Sequence, residues 1–462
     1  MFLRFFIILF IGGCANWLFG QGISSGGDAV VDVSKNVPVR ELLQSGPMVG
    51  YATFREVMLW VQTTSEAKVQ FKYWEQDKPQ KKYTTDVIQT TKSQAFTAKL
   101  LADSVQPGRF YNYQLLINNT AVSLSYPLRF QTPALERTTP LKVALGSCNY
   151  VNDTVYEDSA KYKGGNYEIF TSIYDKKPDI MLWGGDNVYT RDVDWGSRTG
   201  FFYRYTHTRS MQQIQPLIAS VSNYAVWDDH DYGSGDGNRA YPYKHLGLEA
   251  FKLFWANPTV GIENNGGITS HFEWADTEFF LMDNRSFRTD KNLKTAEKTI
   301  LGEVQIRWLI ENLKNSRATF KFVVMGGQFL TSATEKENYI NYPKERDSIL
   351  KYIDLEDIKG VIFLTGDRHF TELSKYQPNG TYPIYDLTVS PLTSNIHREA
   401  ALKEINQFRL ENTLVAERNF CILDVSGNQK DRILKITIYN TTGKELWTKL
   451  ITANELYTKS KN

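Results

Sequence analysis

Only three cysteines occur in 462 residues. Two of them, Cys148 and Cys421, fall in the globular part, so at most one internal disulfide is available to it. The formal net charge is only +2, which gives no support to a nucleic-acid or membrane-surface role. Past the N-terminus, no stretch is long and apolar enough for a transmembrane helix. There is no internal repeat, no low-complexity tract, no GxxxxGK[ST] phosphate loop and no GxGxxG dinucleotide loop. Gly22-Ile23-Ser24-Ser25-Gly26 matches the nucleophile-elbow pattern of serine hydrolases. No strand precedes it to hold the strained turn, so it is a chance match.

The N-terminus reads as an export signal. Arg4 precedes the apolar run Phe5 to Ile11, which is too short to span a bilayer. Residues 1–21 are assigned to it. Two processing routes compete. Ile11-Gly12-Gly13-Cys14 resembles a lipobox, which would lipidate Cys14, and the alternative is cleavage near Gly20-Gln21. Both routes put the mature chain outside the cytoplasm, in the periplasm, the medium or on the outer surface as a lipoprotein.

The chain is too long for one ordinary core, so two domains are expected. Aromatic residues are abundant, with 26 Tyr, 26 Phe and 10 Trp, and they favour sheets. Residues 22–36 read as a tether. Residues 37–134 carry short alternating runs such as Val69-Gln70-Phe71-Lys72-Tyr73 and read as a fibronectin-like β-sandwich without ligand-type clusters. A polar linker, Pro133 to Pro140, leads into a second domain over 141–452, where strands alternate with helices. A helix is predicted over Leu301 to Lys314, with Ile306, Leu309, Ile310 and Leu313 on one face.

Within that second domain, five apolar runs each end in a small or polar cluster. Leu141–Leu145 leads to Gly146-Ser147-Cys148, and Ile180–Trp183 to Gly184-Gly185-Asp186-Asn187-Val188-Tyr189. Tyr224–Trp227 leads to Asp228-Asp229-His230-Asp231, Phe322–Met325 to Gly326-Gly327-Gln328, and Val361–Thr365 to Gly366-Asp367-Arg368-His369. Such runs are buried strands, and their polar ends collect at one sheet edge. Several clusters of Asp, His, Cys and Tyr together suggest a polynuclear metal site.

Carboxylates are hard ligands for Ca, Mg, Mn or oxidised Fe, and a Tyr189 phenolate suits a trivalent ion. Asp367 and His369 share a face if their segment is extended. Cys148 is read as a thiolate ligand, with a disulfide to Cys421 as the competing reading. Arg204, Arg239 and Arg368 are candidate phosphate donors, Arg239 first because it follows the Asp-rich loop. His207, His245, His271 and His397 are left by default as ordinary core or surface residues, with support of the ligands from behind as the alternative for His207 and His271. Asn152 and Asn284 stand in Asn-x-Ser/Thr acceptor sequences.

At these clusters the chain resembles the alkaline phosphatase D (PhoD) family of metallophosphoesterases. Leu301-Gly302-Glu303-Val304-Gln305 with Trp308-Leu309, and Asp386 to Thr393, also carry the resemblance, which spans most of residues 40–440. It implies a four-layer α/β/β/α metallophosphatase fold and a cluster of ferric iron and calcium. Cys148, Asp186 and Tyr189 would be iron-side ligands. Asp367 and His369 would complete the cluster, with Asp229 and His230 close by. One departure stands out. Where the family continues Asp-Tyr-Gly with a residue and then Asn-Asp, this chain has Ser234-Gly235-Asp236. Ser234, Asp236 and Asn238 are the residues that can compensate through a shifted loop.

The expected function is therefore exported, metal-dependent hydrolysis of phosphomonoesters or phosphodiesters by activated water. Asp229, His230 and Arg239 are taken as catalytic, and Cys148, Asp186, Tyr189, Asp229, His230, Asp236, Asp367 and His369 as metal ligands. A degenerate phosphate- or ligand-binding surface protein on the same scaffold is the alternative. A serine or cysteine hydrolase would need a nucleophile with a positioned base.

Overall fold

The computed structural model describes residues 38–262, 265–334, 338–429 and 431–461. The expected leader, Cys14, the Gly20-Gln21 cleavage point and the tether lie outside them.

Two sheets precede the linker. One has three strands, Leu43–Ala52, Val57–Thr63 and Thr97–Ala102. The other is centred on Lys68–Glu75 and Phe110–Ile117. Val69, Phe71 and Tyr73 are fully buried while Gln70 and Lys72 are half-buried. That is the period-two pattern of a sheet with one covered face. These sheets are bonded to the following region. The Trp60 indole donates to Leu253 O at 2.8 Å, Tyr51 N donates to Ala256 O at 3.0 Å, and Asn223 Nδ2 donates to Val49 O at 3.0 Å.

Beyond the linker lie two six-stranded sheets. The first runs, in spatial order, Ser222–Val226, Ile180–Gly184, Leu141–Gly146, Asn419–Ser426, Ile433–Asn440 and Glu445–Thr452. Its first three strands are parallel and the rest antiparallel. The second runs Ser270–Trp274, Thr277–Leu281, Phe320–Val324, Val361–Thr365, Ile384–Thr388 and Glu372–Tyr376, with the middle four parallel.

Strand periodicity builds the layers. Phe279, Phe322, Ile362 and Leu387 share a core with Val143 and Leu145 of the first sheet. Their neighbours Phe280, Val323 and Phe363 face the other way, onto Leu309, Leu313, Ile349 and Ile353 of helices Gly302–Asn315 and Pro343–Leu355. Alternate residues of one strand thus serve two cores, which is why apolar residues stand on both faces of these strands. The predicted helix is present, displaced by one residue.

Glycine lets the ends of the two sheets approach each other. A Cβ on Gly326 would sit 2.5 Å from Asp228 Cγ, one on Gly366 2.5 Å from Ser147 Oγ, and one on Gly146 2.5 Å from Leu392 Cδ2. Cross-sheet bonds occupy that space. Ser147 Oγ donates to Val389 O at 2.7 Å, and Leu392 N donates to Ser147 O at 2.8 Å.

Candidate metal centre

Four of the five strand-end clusters converge at this junction. Asp186, Tyr189, Asp229, His230, Asp367 and His369 line one cavity of about 520 Å³, together with Gly235, Asp236, Arg191 and His397. Cys148 is fully buried behind them, with Sγ 3.8 Å from Asp186 Oδ2. Ligand atoms of Cys148, Asp186 and His369 lie within 4.8 Å of one another, and so do those of Asp186, Asp229 and His230. Asp186 belongs to both groups.

The backbone is strained at these positions. Cys148 (φ 59°), Asp186 (52°), Asp236 (58°), Asp367 (70°) and His369 (56°) are all left-handed. L-residues adopt that region only when surrounding structure over-determines it, and such residues concentrate at functional sites. The segment 367–369 is therefore not extended, as the shared-face argument required. Arg368 N donates to Gly366 O at 2.9 Å, and a tight turn brings both side chains to the cavity.

Each candidate ligand is held by neighbours. Ser390 Oγ lies 3.1 Å from Cys148 Sγ, and the Tyr189 hydroxyl is 3.1 Å from His369 Nε2. The Tyr189 ring packs 4.3 Å from that of His230, and His230 N donates to Asp186 Oδ1 at 3.2 Å. Asp236 N donates to Asp229 Oδ2 at 2.7 Å. Asp231 does not face the cavity. Its carboxylate accepts from Asn187 N (3.2 Å), Val188 N (3.0 Å) and Asp228 N (3.0 Å), locking two ligand loops together.

Most of the candidate ligands are costly to ionise where they stand. Burial, then the nearby carboxylates of Asp229, Asp228, Asp231 and Asp367, push the Asp186 carboxyl well up. Burial and Asp186 do the same to the Cys148 thiol and the Tyr189 phenol. Asp229 goes the other way. Burial opposes its ionisation, but His230, Arg285 and the Asp236 N–H outweigh it and hold the carboxyl below its usual range. His230 Nδ1 is buried with no hydrogen-bond partner in the protein. A thiol, a phenol, two imidazoles and several carboxylates suit hard and borderline cations, and metal binding reverses the cost of ionising them.

Other expectations need correction. Arg239 is exposed and does not line the cavity, and its N–H donates to Arg288 O at 2.9 Å. Arg204 is buried between Asp153 (3.0 Å) and Asp194 (2.7 Å), and Arg368 is buried on Glu404. Gln328 bonds Glu372 (2.7 Å) and Thr388 (3.0 Å) away from the cavity, so its strand end supplies glycine clearance instead. His397 is no ordinary surface residue, since it stacks 4.2 Å from His369. Asn284 is buried, donating to Asp228 Oδ1 at 2.8 Å, and cannot take a glycan in the folded chain. Cys148 and Cys421 are both free thiols.

The sequence reading missed Arg285, which pairs with Asp228 and lies 3.8 Å from Asp229 Oδ1. The apolar run Phe279-Phe280-Leu281-Met282 into Asp283-Asn284-Arg285 was its signal.

Paired strand-end ligands between two such sheets define the metallophosphatase fold. Comparison narrows this further: the PhoD-like phosphatase model matches residues 154–428, more than half of the chain, which therefore belongs to that family. The chain is similar to alkaline phosphatase D of Bacillus subtilis (strain 168), at 24% identity over 328 residues, covering 60% of this chain. It spans only 54% of that relative's length. A solved structure of PhoD superposes with a TM-score of 0.73 at 15% identity, covering 92% of this chain and 95% of the other. Purple acid phosphatase PPD1 from yellow lupin seeds superposes at 0.65 with 11% identity, covering 91% and 77%. Among the described residues, no helix is long and apolar enough to cross a membrane.

Proposed function

We propose that this chain is a metal-dependent phosphoric ester hydrolase acting on phosphomonoesters, phosphodiesters or both. The observation that carries this reading is Asp186 shared between two ligand groups at the floor of an open cavity. Ferric iron fits Cys148, Asp186, Tyr189 and His369, and calcium suits the carboxylates of Asp229, Asp236 and Asp367, which line the same cavity as His230. Bound there, the cations would polarise the phosphoryl group and acidify the attacking water. The protein's own part is positioning. The Asp229 carboxylate, kept ionised by Arg285 and His230, orients the reacting water, and His230 stands where it can hand on a proton. Arg239 is not carried forward.

Residues 37–134 form the accessory β-sandwich in this reading and 141–452 the catalytic domain. The basic-apolar leader implies export, with Cys14 lipidation or cleavage near Gly20-Gln21 distinguished by the mass of the mature protein.

The test is elemental analysis with a visible spectrum, alongside hydrolysis of a chromogenic monoester and diester. Iron with a phenolate charge-transfer band, calcium and turnover are expected. A protein without metal overturns the reading. One observation favours the binding-protein alternative: Gly235 offers no donor where the family carries Asn. Metal without turnover would select it.

A further inference from the structure

The rim of the cavity carries features that metal binding does not explain. Tyr156 is 56% exposed and Val193 61% exposed. Both line the cavity above the metal ligands, with Trp195 and Tyr150 beside them. Large apolar groups left in water at the mouth of a polar cavity mark a contact surface for a ligand. Tyr150 extends this wall to the centre itself, its ring 5.0 Å from that of Tyr189.

The two segments that carry these residues are tied together. Tyr156 follows a turn closed by Tyr156 N and Glu157 N donating to Asp153 O at 3.2 and 2.9 Å. Its ring stands edge-on to Tyr203 at 5.7 Å. Val193 follows Arg191, whose guanidinium pairs with Glu157 at 2.7 Å and donates to Val151 O at 2.8 Å. Beneath both turns, the buried Arg204 holds Asp153 on one side and Asp194 on the other. A fully desolvated arginine between two carboxylates fixes the separation of the two jaws, so the apolar faces are positioned before any ligand arrives.

The charge at the rim argues for a neutral group. Arg191 is already paired with Glu157, and the other charged rim residues are one cation, Lys163, and one anion, Asp192. No excess positive charge is left for a second phosphate. Tyrosine and tryptophan faces suit flat rings, which stack without needing directional hydrogen bonds.

We infer that Tyr156, Val193 and Trp195 form a subsite for a flat aromatic ring on the alcohol side of the ester, as in a nucleoside or aryl phosphate. This rests on the hydrolase reading above. The metal-loaded protein is compared on adenosine 5′-monophosphate and ribose 5-phosphate, which share the reacting ester and differ by the base. Phenyl phosphate and cyclohexyl phosphate, compared by calorimetric affinity, separate an aryl from a nucleoside preference.

The expected result is a kcat/KM ratio of about tenfold in favour of the base-bearing ester, the scale of one stacking contact. The Tyr156→Ala, Val193→Ser double variant brings the ratio towards one, and Tyr156→Phe keeps it. Both positions are exposed, so the double variant leaves the core intact, and a thermal melt checks this. Equal values within both pairs overturn the inference, as does a preference that survives in the double variant. If no ester is hydrolysed, the hydrolase reading fails separately, and the same pairs measured by affinity still decide the ring subsite.

Discussion

Cys148 and Gly235 mark opposite ends of the candidate metal centre, and the chain treats them in opposite ways. Cys148 is fully buried, left-handed, contacted by hydroxyls from both sheets and backed by the fully buried strand end Gly146-Ser147. Gly235 is exposed, and a Cβ there would meet only His230 Cε1 at 3.7 Å and Asp229 Oδ2 at 3.8 Å. One end is over-determined by packing. The other has room to spare and faces the ligands directly. A donor lost from the rigid end cannot be replaced without moving two sheets, whereas at the open end a single side chain changes the site.

The largest effect is expected where the two ends meet. Asp186→Asn removes the shared ligand and should lower hydrolysis by about 10³-fold, roughly 4 kcal/mol of transition-state stabilisation. Elemental analysis should then show both cations depleted, and loss of only one would separate the two ends.

A smaller effect concerns Asp386, which supports the second sheet away from the cavity. It accepts from Phe329 N, Leu330 N and Thr365 Oγ1 at 2.9, 2.6 and 2.7 Å. Burial pushes its carboxyl up to about 6 from 3.8, against those hydrogen bonds. The folded state therefore holds the proton more tightly than the unfolded state. The group's contribution is fully present below about pH 4 and is lost as pH rises through about 6, on the order of 3 kcal/mol. Urea titrations from pH 4 to 7 should show wild type losing stability relative to Asp386→Asn across that window.

At the rigid junction, Gly326→Ala places a methyl 2.5 Å from Asp228 Cγ. Asp228 is pinned by Arg285 and Asn284, so the clash should cost about 2 kcal/mol. An unchanged melting temperature would show that the junction yields. At the open end, Gly235→Asn supplies an oxygen beside Asp229 without a clash and should tighten calcium binding about tenfold, near 1.4 kcal/mol. Calcium titration by calorimetry measures this, and no change would place position 235 outside the site.

The same contrast explains what could be read from the chain. Strand ends were legible because a parallel strand buried on both faces is continuously apolar, and the residues after it must lie at one edge. The structure places Cys148, Asp186, Tyr189, His230 and His369 at one junction. Arg285 was overlooked because its strand, Thr277–Leu281, carries Glu278 and is not followed by glycine. His397 reaches His369 from a loop whose path is set by tertiary contacts, with no periodic signal of its own. Arg204 and Arg368 look like phosphate donors in one dimension. Their pairing with Asp153, Asp194 and Glu404 depends on residues up to 51 positions away.

The strand tips that meet through glycine also set an order of events during synthesis. Tyr189 and His369 are 180 residues apart, and Cys148 and Ser390 are 242 apart. A ribosome delivers the first sheet's ligands long before their partners exist. Until residues near 390 emerge and the second sheet closes against the first, Cys148 is a thiol without its enclosure, open to oxidation and to any passing soft metal. The cysteine side of the candidate site is therefore complete only in a nearly finished chain. The conditions that matter for maturation are those where folding ends.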